Sequence, residues 1–449
     1  MSERALPGFR DFYPEQFAER ARILHVWRDV ARRFAFIEYD GPPLEPLELY
    51  TRKSGDEIVG QLYNFRDKGD REVALRPEMT PTFARMVAAR ANALRKPVRW
   101  FSVPQLFRYE RQQKGRLREH FQLNVDIVGE TSVSADAELL AVALEIMHAF
   151  GLTPDDVVAR VSDRRLLGAL LESIGVARAD ATRVFAVVDK IERQPRTVSH
   201  EKLTALGMAE DQIGELFALF EARSPAALRE QYGRSAAVAE RLDELERYFG
   251  YLARLDVAQW ARLDLRVVRG LAYYTGIVFE LFDAHGEFRA ICGGGRYDDL
   301  LRNLGGVDLP ALGFGMGDVV LGALLEARGL QAAPVAHPDF WVASEAHDAL
   351  ADVMTVATQL RRAGASAEYA LRPQALGKQR KAAYSAGASY FVLLAPDFPQ
   401  SRRLDVQPLT AREAGVPPLP GLVGLAAGGT VETLADMIGR NRHVRGSVD

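Results

Sequence analysis

The spacing of apolar residues divides the first part of the chain into helical and extended segments. Between Glu15 and Phe36, apolar residues recur every three or four positions, which predicts a helix with one buried face. Residues 36–50 are expected to be extended, because their prolines fix φ and lack an N–H. Residues 96–130 are rich in strand-forming residues, and in 121–129 apolar and polar residues alternate. This alternation predicts a strand with one face in the core and one polar face.

The middle of the chain is predicted to be mainly helical. After Gly129 the pattern predicts a helix capped by Ser134 and ending at Gly151. Residues from about 160 to 260 stay helical and charged, which predicts a helical insertion. Strand character returns in GIVFELF and EFRAIC, separated by the turn sequence DAHG.

The last part of the chain predicts a second, smaller domain. Residues 326–338 form a linker by their prolines and alanines, and they separate a domain at 1–325 from one at 339–449. DFWVA, SAEYAL and SYFVLL alternate with helical segments, which is typical of an α/β domain. Residues 397–427 are rich in Pro, Gly and Arg and are not assigned to any element.

Composition excludes several classes of protein. No stretch approaches the roughly 18 apolar residues of a membrane span, and the start lacks the apolar core of a signal peptide, so a cytoplasmic protein is expected. The single cysteine, Cys292, excludes an internal disulfide, and the histidines show no metal-ligand spacing, so no metal site is expected. The net charge of -3 argues against indiscriminate nucleic-acid binding, although residues 108–118 form a local basic patch.

Two polar stretches are candidates for binding charged groups. FRYERQQKGRLREHFQLNVDIVG (107–129) is a strand, a basic loop and a returning strand, and its arginines suit phosphate; the alternative is a solvated hairpin with a charged tip. In LRPEMTPTFARM, Glu78 and Thr80 share a face of an extended chain and could hold an ammonium group. They could equally form a salt bridge and a helix start.

Two further stretches combine glycine with arginine or tyrosine. In VVRGLAYYTGIVFE, Arg269 next to a glycine could place a cation beside a reacting carboxylate or phosphate, although paired tyrosines more often pack than catalyse. In ICGGGRYDDLLRNLGG, the glycines could be the floor of a small-molecule pocket or form a bulge at a sheet corner. Neither a dinucleotide-binding fingerprint nor a P-loop is present.

Taken together and in this order, these stretches resemble the histidyl-tRNA synthetases, which are class II aminoacyl-tRNA synthetases. FRYERQQKGRLRE resembles class II motif 2, YDGPPLEPLELY resembles motif 1 of the dimer interface, and VVRGLAYYTGIVFE resembles the histidine-specific signature. The resemblance runs from GFRDFYP to GKQRKAAYSAGASYFVLL. It implies an α+β fold, with an antiparallel sheet flanked by helices, a helical insertion and a C-terminal α/β anticodon-binding domain.

The resemblance also implies a reaction and its residues. Histidine and ATP would give histidyl-adenylate and pyrophosphate, and the histidyl group would pass to the 3' end of tRNA(His). Arg269 and Arg108 would be the catalytic cations. The residues implied to bind L-histidine are Glu78, Thr80, Arg108, Gln122, Asp126, Arg269, Tyr273, Tyr274 and Tyr297.

Nucleotide and tRNA contacts follow from the same resemblance. The residues implied to bind ATP are Arg108, Glu110 and the alternate glycines of ALGFGMGDVV, namely Gly313, Gly315 and Gly317. Gln113, Lys114 and Arg116 would meet the tRNA acceptor end. Magnesium is implied by ATP, and a homodimer by motif 1.

The chain departs from the family pattern at two positions. Ala272 replaces the aspartate of the usual RGLDYY. Motif 3 usually ends in Gly-x-Glu-Arg, whose arginine holds the outer phosphates of ATP, but here Val320 takes its place and Asp318 is expected to cap the following helix. Arg296 or Arg302 could compensate, ATP could bind differently, or the chain could have lost histidine activation. Some bacterial and organelle-type members resemble this chain in carrying Gly-Asp at this point.

Two other functions remain possible on this pattern. A non-catalytic, histidine-sensing regulatory subunit of ATP phosphoribosyltransferase would share the catalytic fold. Such subunits typically lack the anticodon-binding domain and degrade motif 2 and the arginine signature, all of which this chain keeps. A synthetase for another amino acid would conflict with RGLAYYTG, Gln122 and Asp126.

Overall fold

The computed structural model describes residues 5–54, 56–109, 117–269, 273–331, 337–398 and 400–409, together with positions 429–430, 432–434, 436 and 438. The chain divides into two compact units, Met1–Ala333 and Pro334–Asp449. Within these described ranges, no helix is long and apolar enough to cross a membrane.

The first unit contains most of the helices and strands. Its α-helices are α1 (Pro14–Arg33), α2 (Glu48–Ser54), α3 (Thr80–Arg90), α4 (Val133–Ala149), α5 (Arg164–Ser173), α6 (Ala181–Val188), α7 (Arg196–Ala205), α8 (Glu210–Leu219), α9 (Pro225–Tyr232), α10 (Ala236–Arg254), α11 (Leu300–Gly305) and α12 (Asp318–Ala327). Its strands are β1 (Ile37–Glu38), β2 (Leu44–Pro46), β3 (Asn64–Arg66), β4 (Glu72–Leu75), β5 (Val98–Ser102), β6 (Gln105–Phe107), β7 (Glu119–Val128), β8 (Val157–Asp163), β9 (Ala261–Leu263), β10 (Ile277–Asp283), β11 (Cys292–Arg296) and β12 (Ala311–Gly317).

A nine-stranded, mostly antiparallel sheet organises this unit. Its strand order is β1-β5-β7-β12-β11-β10-β8-β9, and β6 pairs with β7 off this path. The β1–β5 and β8–β9 pairs are parallel, and the other pairs in the sheet are antiparallel. A separate three-stranded sheet has the order β2-β4-β3. The predicted α+β fold, with an antiparallel sheet flanked by helices, is confirmed.

The predicted helices are confirmed, with corrections at their ends. Helix α1 buries Ile23, Trp27 and Val30, which lie on one face as the spacing predicted. Helix α4 is capped by Ser132, whose hydroxyl accepts the N–H of Ser134, so the expected cap at Ser134 is wrong and the cap lies two residues earlier.

The boundaries of the helical insertion need correction as well. Residues 157–163, expected in part to belong to the insertion, form strand β8 of the main sheet, and the helices α5 to α10 follow it. Helix α12 runs to Ala327, so the expected linker at 326–338 begins inside a helix. Composition did not distinguish β8 from the polar helices that follow it, because the strand sequence VVARVSD alternates only weakly between apolar and polar residues.

The glycine-rich stretches are strands. EFRAIC was expected to be a strand, but β11 begins only at Cys292 and consists mainly of Gly293, Gly294 and Gly295. The stretch ALGFGMG is strand β12, which lies between β7 and β11. Added methyl groups would collide with neighbours in both strands: Gly294 faces Phe314, and Gly313 faces Asp126. The glycines therefore let polar and aromatic side chains lie directly against the sheet backbone.

The second unit has the predicted alternation of strands and helices. Its elements are β13 (Phe340–Ala343), α13 (Leu350–Arg362), β14 (Ala367–Tyr369), α14 (Leu376–Ser385), β15 (Tyr390–Leu394), β16 (Arg403–Pro408) and β17 (Gly429–Thr430). The sheet order is β14-β13-β15-β16-β17, with β13 parallel to both β14 and β15. The unit has its own hydrophobic core, which includes Phe340, Val356 and Val392.

Candidate active site

Two adjoining cavities lie in the first unit. The small cavity has a volume of about 110 Å³ and the large cavity about 350 Å³. Both are lined by the same five residues where they adjoin: Arg108, Gln122, Arg269, Gly293 and Gly315. Two substrates bound side by side would therefore meet at two arginines.

The small cavity brings together all the residues that the sequence assigned to histidine. They are Glu78, Thr80, Arg108, Gln122, Asp126, Arg269, Tyr273, Tyr274 and Tyr297. Thr80 is also the first residue of α3, followed by a proline in the first turn, so the helix-start interpretation holds alongside its position in the cavity. Asn124 lines the cavity too and was missed, although it lies on the same predicted polar face as Gln122 and Asp126.

Strand β7 supplies the polar wall of the small cavity. Leu123, Val125 and Ile127 belong to the main core, and the residues between them face the other way. Asp126 is buried, and its carboxylate accepts a hydrogen bond from the hydroxyl of Tyr297. In the sheet register Asp126 lies opposite Gly313 of β12, where any side chain would collide with the carboxylate.

The three tyrosines form an aromatic cluster beside this wall. The ring centroids of Tyr273 and Tyr274 are 4.7 Å apart, and Tyr273 meets Tyr297 edge-on at 6.0 Å. Burial is the main cause that raises the pKa of the Tyr273 hydroxyl, and the nearby carboxylate of Glu78 raises it further. Burial and the carboxylate of Asp126 raise the pKa of the Tyr297 hydroxyl in the same way. Both hydroxyls therefore stay protonated and can act as hydrogen-bond donors.

Arg269 lies where the two cavities adjoin. Its φ is 51°, in the left-handed region that non-glycine residues seldom adopt, and its guanidinium lies 5.3 Å from the centre of the Tyr274 ring. Its Nη1 donates to Oε1 of Glu280 at 3.2 Å. Burial works against the charge, but Tyr274 and Glu280 outweigh it, so the pKa of Arg269 is raised. The guanidinium is a permanent, oriented cation.

Two residues hold Arg269 in place: Gly293, from the glycine stretch that the sequence singled out, and Glu280, which it did not. Glu280 on β10 lies directly opposite Gly293 on β11. A Cβ atom at position 293 would overlap Nη1 of Arg269, so the missing side chain is what lets the guanidinium reach Glu280. No sequence signal marked Glu280, because its role depends on a strand register that joins distant segments.

Arg108 is the second cation that lines both cavities. It follows β6, and its Nε donates to the carbonyl of Pro77 at 3.0 Å, beside Glu78. The other site residues predicted in the basic loop, Glu110, Gln113, Lys114 and Arg116, lie outside the described residues. Ala272, the departure in the histidine signature, also lies outside them.

The large cavity contains part of the expected nucleotide site. Gly315 and Gly317 line it, as does Val320, whereas Gly313 lines only the small cavity. His120 lines it as well, and burial together with the charges of Arg108 and Arg10 lowers the pKa of its imidazole to about 3. His120 is therefore neutral at physiological pH and adds no charge to the cavity.

The expected role of Asp318 as a helix cap is wrong. Gly317 is the N-cap of α12, and no side chain makes a capping hydrogen bond there. The buried carboxylate of Asp318 instead accepts the N–H of Phe121 at 2.9 Å and pairs with Arg10 at 2.9 Å. Arg10 also binds Glu119 of β7 at 2.6 Å. Burial raises the pKa of Asp318, and the positive charge of Arg10 partly opposes that rise. Through its contacts with Phe121 and Arg10, the carboxylate connects α12 to β7 and to the N-terminal segment.

Neither of the expected substitutes for the motif 3 arginine lines the large cavity. Arg296 is buried and bound to Asp136 at 2.5 Å. Arg302 is exposed and pairs with Asp299 at 3.2 Å and with Asp308 at 2.5 Å. Of the alternatives left open for the absent arginine, compensation by Arg296 or Arg302 is therefore not supported, because adjacency in sequence to the glycine stretch does not point a side chain into the cavity.

Comparison with known proteins gives a consistent result. A sequence model of the family described as histidyl-tRNA synthetase matches residues 8–317. A histidine–tRNA ligase of Opitutus terrae is 45% identical over 92% of this chain and 96% of its own length. A chloroplastic/mitochondrial histidine–tRNA ligase of Arabidopsis thaliana is 40% identical over 86% of this chain and 79% of its own length.

A solved structure extends the similarity to the fold. The crystal structure of a histidyl-tRNA synthetase from Nostoc superposes with a TM-score of 0.80, covering 98% of this chain and 99% of that one at 23% identity. Taken with the family match over most of the first unit and with the sequence identity to the ligases, this establishes that the chain belongs to the histidyl-tRNA synthetase family.

Proposed function

We propose that this chain is a histidine–tRNA ligase that activates L-histidine with ATP and transfers the histidyl group to the 3' end of tRNA(His). The observation that carries the proposal is the pair of adjoining cavities with Arg108 and Arg269 lining both. Histidine would occupy the small cavity and ATP the large one. In the first step a carboxylate oxygen of histidine attacks the α-phosphorus of ATP, forming histidyl-adenylate and releasing pyrophosphate.

Arg269 and Arg108 act on the reacting groups of both substrates. The attack gathers negative charge on the α-phosphate oxygens, and a preoriented guanidinium stabilises that charge more in the transition state than in the ground state. The hydrogen bond of Arg269 to Glu280 fixes its direction before substrate arrives. Arg108, anchored by the carbonyl of Pro77, approaches from the motif 2 side.

The small cavity selects histidine by complementary hydrogen bonds. A neutral imidazole has one N–H donor and one acceptor nitrogen. The carboxylate of Asp126, already bound by Tyr297, suits the N–H, while the protonated hydroxyl of Tyr273 can donate to the other nitrogen. Glu78 and Thr80, at the start of α3, would hold the ammonium group. An amino acid without such a ring would leave these buried groups unpaired, which is costly.

The remaining contacts rest on the motif 2 resemblance. Glu110 would bind adenine, with Gly315 and Gly317 beneath the nucleotide, and Gln113, Lys114 and Arg116 would contact the acceptor end of tRNA. Glu280 is the one carboxylate among the described residues that line the large cavity, and it forms an ion pair with Arg269. Magnesium is therefore expected to enter with the phosphates of ATP as part of the substrate. A homodimer is expected through the motif 1 segment.

The first test is histidine-dependent exchange between ATP and pyrophosphate by the purified chain. Exchange is expected for the wild-type protein. Arg269→Ala should lower the rate constant of exchange by about 100-fold or more while changing the KM for histidine much less, since its charge acts mainly in the transition state.

Two outcomes would contradict this assignment. Binding of histidine without any exchange would favour a histidine-sensing regulatory protein. Equal losses in rate constant and in histidine affinity for Arg269→Ala would show that this arginine binds substrate rather than stabilising the transition state.

A further inference from the structure

The large cavity has an apolar side chain, Val320, at the position where the family pattern implied by the resemblance has a phosphate-binding arginine. ATP would bring its outer phosphates into this cavity, and proteins hold phosphate chiefly with arginine and lysine. Val320 lines the cavity and packs partly into the main core. A cation for the outer phosphates therefore has to come from another part of the chain.

The arginines that line the large cavity fall into two groups. Arg108 and Arg269 line the small cavity as well, so they lie where the carboxylate of histidine and the α-phosphate would react. Arg193 and Arg289 line the large cavity alone. Among the described residues, these two are the cations positioned for the part of ATP that does not react with histidine.

Arg289 approaches the same end of the cavity as Val320. It lies between β10 and β11, three residues before Cys292, which pairs with Met316 of β12. Beyond Met316, β12 ends and α12 begins, carrying Val320 in its first turn. The residues just before Cys292 therefore run alongside the start of α12, and Ala290 and Ile291 continue the cavity wall from Arg289.

Arg193 comes from the helical insertion and reaches the cavity from another side. It follows α6, in a turn where its N–H donates to the carbonyl of Lys190 at 2.9 Å. The preceding residue, Glu192, accepts from Arg160 at 2.9 Å and pairs with Arg266 at 3.1 Å. These two ion pairs hold the turn that carries Arg193.

The charges lining the large cavity favour an anion. Its one carboxylate among the described residues, Glu280, is bound to Arg269. No other carboxylate lines the described part of the cavity, whereas four arginines do: Arg108, Arg193, Arg269 and Arg289. The described lining is therefore net positive, and two of its four arginines do not line the histidine cavity.

We propose that Arg289, assisted by Arg193, binds the β- and γ-phosphates of ATP in place of the arginine that is absent at position 320. This inference rests on the proposed function, because it assumes that the large cavity is the ATP site. It replaces one side chain on α12 with two that come from separate segments, one of them in the helical insertion.

The test compares two nucleotides that differ only in the outer phosphates. Isothermal titration calorimetry would measure Kd for ATP with magnesium and for AMP, using the full chain and the variants Arg289→Ala, Arg193→Ala and their combination. Loss of one charge-assisted phosphate contact should raise the Kd for ATP about tenfold or more in Arg289→Ala. The Kd for AMP should stay within about twofold, because AMP lacks the phosphates concerned.

Matched variants guard against a general disturbance of the protein. Arg289→Lys should restore part of the ATP affinity, because it keeps the charge without the guanidinium fork. Arg302→Ala removes an exposed arginine that pairs with Asp299 and Asp308 outside the cavity, and it should leave both nucleotides unaffected.

An unchanged ratio of ATP to AMP affinity in the double variant would overturn the inference. Equal weakening of both nucleotides would overturn it too, because the loss would then concern the shape of the site. These results are distinguishable from a failure of the proposed function. If the wild-type chain supported no exchange and bound no ATP, both proposals would fall, whereas active wild-type protein with an unchanged ratio would contradict only this one.

Discussion

At the scale of single residues, Arg269 reaches both cavities because the residue opposite Glu280 is a glycine. The two side chains of a cross-strand pair normally lie side by side, and at this pair one of them is missing. The guanidinium of Arg269 fills that space and hydrogen-bonds to Glu280. Gly293 has no functional group, yet it determines the position of the Arg269 guanidinium, which acts in the proposed reaction.

This predicts a strong effect of the smallest possible side chain at position 293. In Gly293→Ala the added methyl would displace the guanidinium, because it overlaps Nη1 of Arg269. A misplacement of about 1 Å near a reacting group costs on the order of 100-fold in rate. We expect a loss of that size in histidine-dependent exchange, measured as the rate constant at saturating substrates.

Gly250→Ala is the control for that substitution. Gly250 lies in helix α10, and an added methyl there would meet nothing within 4 Å. This variant should keep wild-type exchange. Full activity of Gly293→Ala would mean that Arg269 does not need its present position.

Sequence reasoning at this scale succeeded where the relevant pattern is local. Alternation along one strand predicted the polar face that carries Gln122 and Asp126, the resemblance assigned both to histidine, and both line the small cavity. Glu280 and Arg289 escaped it, because what they contact depends on strand pairing between segments far apart. The alternative that Arg296 or Arg302 compensates for the absent arginine is unsupported for the same reason.

At the scale of elements, strand β7 depends on a clamp at its first residue. Arg10, from the segment before α1, binds the buried carboxylates of Glu119 on β7 and Asp318 on α12. The sequence predicted β7 itself from its alternation. It did not predict that ALGFGMG is a strand, because glycine is unfavourable in strands unless neighbouring groups need the space.

Removal of the clamp should destabilise the first unit. Arg10→Ala leaves two nearly inaccessible carboxylates, with side chains 2% and 4% exposed, close together without their cation. Breaking a buried ion pair in this way costs about 3 kcal/mol. Differential scanning calorimetry should show a thermal midpoint lower by several degrees.

The matched control for Arg10→Ala is Arg66→Ala. Arg66 pairs with Asp70 and Glu72 on the surface, where its side chain is 62% exposed and its ion pairs are screened by water. No measurable change in the midpoint is expected. Equal effects of the two variants would argue against a structural role for the clamp.

At the scale of the whole molecule, the two cavities draw on residues between Glu78 and Val320, all of which belong to the first unit. The second unit has a separate core and a separate sheet. The order of strand-rich and helical segments predicted the α/β pattern of the second unit, and the family resemblance implied the antiparallel sheet of the first. The path of the main sheet could not be predicted in this way, because β7, β12, β11 and β10 pair across long stretches of sequence.

Because the two units have separate cores, we expect that histidine activation and the charging of tRNA can be separated experimentally. A chain ending at residue 333 should keep histidine-dependent exchange within a few-fold of the full chain, since each unit has its own core. It should lose most of its charging of tRNA, because the second unit is predicted to bind the anticodon. Filter assays with labelled histidine would measure the second step, and undiminished charging would contradict that role.

The valine at position 320 also bears on chemical selectivity. Its side chain offers a hydrocarbon surface inside the large cavity, at a point where a relative with arginine offers a charge. A nucleotide mimic carrying a small alkyl group there would gain apolar contact with this enzyme. The same group would have to desolvate a guanidinium in an arginine-bearing synthetase, which is unfavourable. One branched aliphatic residue thus provides a basis for inhibitors that discriminate between two kinds of histidyl-tRNA synthetase.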